Sequence, residues 1–71
     1  MTNQPRPDGH VIRGDANDIL HIDDPMLLEW MKRILKPSAF ADDLVVMPRE
    51  AMNGLVDMCR SKGFTIDAQH G

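Results

Sequence analysis

The sequence predicts a mainly α domain, α-rich with an α+β arrangement as the competing architecture, and three observations carry that expectation. Two stretches, about 25–36 and 48–62, each begin at a proline, repeat apolar residues at helical spacing and end in basic side chains. The extended apolar runs at 19–22, 44–47 and 64–66 are short, so periodicity alone does not separate a paired strand from a segment docked on helices. The first helix also carries a broad oily surface. At ~100° per residue its residues Met26, Leu27, Leu28, Trp30, Met31, Ile34 and Leu35 sweep roughly 200°, where about 100° suffices for a surface helix.

Taken in order, residues 1–9 hold two prolines, Asn, Gln, Asp and Gly with no large apolar side chain after Met1; ordering them costs entropy with little burial in return, and they are expected as a disordered arm. His10-Val11-Ile12-Arg13 and Ile19-Leu20-His21-Ile22 flank a Gly/Asp/Asn cluster and suggest a loose β-hairpin. The plainer alternative leaves 10–18 with the arm and docks only Ile19, Leu20 and Ile22 on the helices. Asp24 suits an N-cap and Pro25 the first helical position, and Glu29 stands four residues before Arg33. Pro37 stops that helix by disfavouring helical geometry at Lys36. Residues 37–43 read as a connector anchored by Phe40, and Leu44-Val45-Val46-Met47 as a buried strand or an extended crossing segment. Pro48 opens the second helix and Gly63 is its natural left-handed stop. Met52, Leu55, Val56, Cys59, Met58 and Ala51 share one face of that helix, with Gly54 beside it, either for a close backbone approach or as a tolerated imperfection. The expected organisation is one small domain over 10–66 and a flexible tail over 67–71.

A chain of 71 residues buries only about 60% of its unfolded surface, and so small a core yields about 3–5 kcal/mol. Its single cysteine excludes an internal disulfide, which leaves oligomerisation as the expected reinforcement. The net charge of −3 argues against nucleic acid as a partner. No apolar run approaches the ~18–20 residues that span a bilayer, and the first residues carry no apolar signal core, so a reducing, cytoplasmic setting is expected.

Few residues point to chemistry. Five methionines besides the initiator, Met26, Met31, Met47, Met52 and Met58, suit either gap filling or an adaptable binding surface. Trp30, the one tryptophan, suits an interface anchor or the centre of the core. His10, His21 and His70, with Asp15, Asp18, Asp23 and Asp24 near the first two, invite a metal reading, but no HxxxH or CxxC spacing supports it and capping accounts for the acids at the helix start. Arg13-Gly14-Asp15 spells an adhesion tripeptide that, without a secretion signal, reads as chance. Cys59 falls on the apolar helix face and reads as a small hydrophobe. A helix-turn-helix would need a link of three or four residues, not the eleven or so present here.

The expectation is therefore a small non-enzymatic interaction protein without cofactor, metal or membrane contact. It would form a homodimer and act as an adaptor or inhibitor that occludes a larger cytoplasmic protein through Met26, Leu27, Leu28, Trp30, Met31, Ile34 and Leu35. A small DNA-binding regulator and a small metal-binding protein are the alternatives.

Overall fold

A computed structural model describes residues 7–68. The chain runs β1 (Gly9–Arg13), β2 (Asn17–Ile22), α1 (Pro25–Ile34), a 3-10 turn (Pro37–Ala39), β3 (Phe40–Ala41), β4 (Leu44–Pro48), α2 (Arg49–Lys62) and β5 (Ile66–Ala68). The strands form one mixed sheet in the order β3-β4-β2-β1-β5, with β5 parallel to β1 and the other neighbours antiparallel. At 44% helix and 34% strand among the described residues, the fold is α+β. The expectation of a mainly α domain is corrected, because each short apolar run finds a hydrogen-bonding neighbour, which a local pattern does not reveal. The loose hairpin is present: His10 pairs with His21, Val11 with Leu20, Ile12 with Ile19 and Arg13 with Asp18. The connector at 37–43 holds a second hairpin, in which Ala41 faces Leu44 across Asp42 and Asp43. Asp42 takes a φ of 60°, a conformation in which Asp is less penalised than most side chains.

The helix ends follow the capping logic. The Asp24 carboxylate accepts from the Met26 N–H at 3.1 Å, with Pro25 in the first turn. The first helix stops at Ile34, earlier than the expected 36, because Leu35 and Lys36 are already extended ahead of Pro37. Gly63, at φ 109°, ends α2 by donating to Arg60 O while Phe64 N–H donates to Cys59 O at 3.0 Å, the paired bonds of a Schellman motif. Pro48 serves as the last residue of β4 rather than the first of the helix.

Both helices pack on one face of the sheet. The core joins Val11, Leu20, Ile22, Val45 and Ile66 from the strands, Leu27 and Met31 from α1, and Met52, Leu55, Val56 and Cys59 from α2. Asp18 is buried among them and answered by Arg49, whose Nε and Nη2 each lie 3.4 Å from its Oδ1; Nη2 also donates to Gly14 O at 2.9 Å. Of the expected arm, 1–6 lie outside the described residues, while Asp8 and Gly9 belong to the fold. Asp8 bonds Thr65 through its own N–H and carboxylate, and its carbonyl accepts from the N–H groups of Asp23 and Asp24. Asp67 and Ala68 of the expected tail lie in β5, and 69–71 fall outside the described residues.

Candidate functional site

Side chains directly opposite one another in neighbouring strands share a face, so the register sorts the sheet into two surfaces. Val11, Leu20 and Val45 form the row under the helices. One step along, Ile12, Ile19 and Val46 form a row on the uncovered face, where Ile12 is 46% and Val46 45% exposed. One step to the other side, Asp67, His10, His21 and Leu44 form a second uncovered row. The strand residues placed on this face by their register include no lysine or arginine.

The second row ends in a cluster of imidazoles and carboxylates. The rings of His10 and His21 stand 4.9 Å apart, tilted by 41°. Asp23, just past the end of β2, turns its carboxylate between them: Oδ2 lies 3.1 Å from His10 Nδ1 and Oδ1 lies 2.9 Å from His21 Nδ1. The other ring nitrogen of His21, Nε2, lies 3.1 Å from Asp43 Oδ2. Asp43 is placed there by the β3–β4 turn, and its carbonyl accepts from the Ile22 N–H at 2.9 Å. Beside the cluster is an open depression of about 570 Å³, bordered by Asp8, His10, Asp23 and Asp67. No protein family, curated protein or solved structure matches the chain. Among the described residues no helix is long and apolar enough to cross a membrane.

The seven residues proposed from sequence for an interface divide three ways. Leu27 and Met31 are fully buried in the chain's own core. Leu28, Trp30 and Leu35 are half-buried and pack against it. Met26 and Ile34 face outward, 72% and 40% exposed. Trp30 tilts against Phe64 at 5.7 Å between ring centres, with the Lys62 Nζ 6.0 Å above its ring. Arg33, Lys62, Met26 and Trp30 border an open groove of about 430 Å³ along that side of α1. Cys59 is buried, and burial pushes its thiol up to about 11 against a small opposing effect of its backbone hydrogen bond. Its thiolate, the reactive form, is therefore scarce at neutral pH.

His10 and His21 were singled out by residue type, and the hairpin register brings them together with Asp23. His70 lies outside the described residues, and Asp15, Asp18 and Asp24 are not part of the cluster. A signal for the pairing exists in the sequence. Read outward from the turn, Arg13-Ile12-Val11-His10 mirrors Asp18-Ile19-Leu20-His21, matching opposite charges, two apolar pairs and two histidines. Asp43 carried no comparable signal, because its approach to His21 depends on pairing β4 with β2 across the intervening helix.

Proposed function

We propose that the protein is a small non-enzymatic interaction module whose uncovered sheet face pairs with the same face of a second copy. The observation that carries this reading is the Ile12–Ile19–Val46 row, a flat β-branched strip on a sheet whose helices all lie on its other side. Two such faces pack by interdigitating their side chains about 10 Å apart, and a two-fold axis gives each copy the same patch. With strands about 4.8 Å apart and rising about 3.3 Å per residue, the face offers at most about 400 Å² per chain, half of the roughly 800 Å² of a standard partner. The pair is accordingly weak, with a dissociation constant at micromolar level or above. It acts by contact rather than catalysis, in a reducing, cytoplasmic setting that suits the buried, unpaired Cys59.

A second reading is docking of a larger target on the α1 groove. Exposed Met26 beside Trp30 favours it, with Arg33 and Lys62 as a cationic rim for an apolar segment bearing carboxylates. Light scattering and sedimentation across concentrations distinguish the two. Ile12→Lys and Val46→Lys are expected to hold the chain monomeric at every concentration without lowering the Tm measured in dilute solution. A wild-type chain that stays monomeric to millimolar concentration rejects the sheet-face pair. A dimer abolished by Met26→Lys but not by Ile12→Lys transfers the interface to the helix.

A further inference from the structure

We propose that His10, His21 and Asp23 bind one divalent transition-metal ion of the zinc class, with Asp43 as the positioning residue that holds the second ring nitrogen of His21. One atom of this cluster is unsatisfied. His21 Nδ1 is buried and makes no hydrogen bond, although Asp23 Oδ1 is 2.9 Å away. A buried nitrogen without a partner costs about 1–3 kcal/mol, and here the carboxylate is close enough to help but off the line along which a ring N–H points.

The opposite edge of the ring bears on the chemistry: Asp43 Oδ2 lies 3.1 Å from Nε2, and in the tautomer that keeps its proton on Nε2, Nδ1 presents a lone pair toward the lone pairs of Asp23. Two acceptors 2.9 Å apart repel each other, and a cation between them converts the repulsion into two bonds. An imidazole that gives one nitrogen to a metal and the other N–H to a carboxylate is the usual arrangement of a metal-binding histidine. His10 Nδ1 approaches the same Asp23 carboxylate at 3.1 Å. In the bound form its Nδ1 is the ligand and its single ring proton sits on Nε2.

The dimensions suit a small ion. Ligand atoms around tetrahedral zinc, with bonds of about 2.0–2.1 Å, stand about 3.3 Å apart. The two nitrogen–oxygen approaches are near that edge length, and one ligand atom from each of the three residues lies within 4.8 Å of the others, so the nitrogens must close by a side-chain rotation as the ion enters. Three protein ligands leave a position open to water on the exposed side. Two imidazoles and one carboxylate select zinc, cobalt or nickel over magnesium and calcium, which prefer oxygen. The two histidines share the uncovered face with Ile12 and Val46, but zinc binding is read separately from pairing, since Ile12→Lys and Val46→Lys leave all three ligands in place.

Calorimetric titration of the full chain, freed of metal by chelation, is expected to give one zinc per chain and no response to magnesium. Free zinc at a hundredfold excess over its dissociation constant is expected to raise Tm by on the order of 10 °C. His10→Ala, which removes a side chain partly exposed on the sheet, and His21→Gln are each expected to weaken zinc at least about tenfold; the first keeps the test decisive if the second does not fold. Asp43→Asn is expected to weaken zinc about 10–100-fold while leaving the metal-free Tm unchanged. His70→Ala is expected to bind as the unmodified chain does. Absence of binding up to roughly millimolar zinc, or binding that survives His10→Ala and is lost in His70→Ala, overturns the proposal.

Discussion

The two faces of one sheet are built from alternate residues of the same strands, and they have opposite fates. Val11, Leu20 and Val45 lie under two helices, while Ile12, Ile19 and Val46, one residue along each strand, face away from both helices among the described residues. The residue types are nearly the same. Position relative to the helices, rather than hydrophobicity, thus decides which apolar row holds the fold together and which is left uncovered by them.

The largest effect expected from this contrast is at adjacent residues of β2. Leu20→Ala empties a fully buried site and is expected to cost about 2–5 kcal/mol, comparable to the whole stability of so small a core. Ile19→Ala on the other face is expected to cost about 1 kcal/mol in dilute solution, mostly through lost strand preference. Urea unfolding measures both, and equal costs would erase the distinction between the faces.

Next is the buried carboxylate of Asp18 on the covered side. Arg49→Ala leaves Asp18 buried without its partner, and a loss of about 1–3 kcal/mol is expected. The double variant Asp18→Ala/Arg49→Ala is expected to lose less than the sum of the two single changes, and strict additivity would show that the pair is not coupled.

Two substitutions away from both faces are expected to stabilise. Asp42→Gly relieves a positive φ in the β3–β4 turn and is expected to raise stability by about 1 kcal/mol. Gly54→Ala, where an added methyl meets nothing within 4 Å, is expected to add about 0.5–1 kcal/mol through helix preference. A lower Tm for Gly54→Ala would mean that a partner's backbone approaches that helix.

Smallest at neutral pH is the effect of Cys59. The folded thiol keeps its proton to about pH 11, against a reference value of 9.0, so between those values the unfolded chain binds fewer protons than the folded one and stability falls as pH rises. Below pH 9 the thiol contributes no slope. Chemical denaturation at pH 8 and pH 10 with Cys59→Ala as reference checks the sign, and slow alkylation of the native thiol at pH 8 checks its burial.

The helices were legible because their signals are local: Asp24 and Pro25 at one start, Gly63 at one end, and the spacing of Met52, Leu55, Val56 and Cys59 within a few turns. Beyond the β1–β2 hairpin the sheet was not, because the pairings of β5 with β1 and of β4 with β2 are distant. Ile66-Asp67-Ala68 offers one large apolar residue, and its partner strand β1 lies some fifty-seven residues earlier. Asp18 read as a turn residue among Gly14, Asp15 and Asn17, since the guanidinium that justifies its burial arrives from the start of α2. The wide apolar arc of α1 was visible, but it faces several neighbours: Leu27 and Met31 enter the core and Trp30 meets Phe64, leaving Met26 and Ile34 outside. Of the candidate site, the histidines were visible as residue types, and the mirror around the β1–β2 turn held their pairing.

The division of labour between the two sheet faces is tested most directly by a dilution series of amide NMR spectra on the full chain. Concentration-dependent shifts confined to residues 10–12, 19–21 and 44–46 are expected, with α1 and α2 unmoved. Shifts that map instead to Met26, Trp30 and Ile34, or spectra unchanged from micromolar to millimolar concentration, would contradict the account.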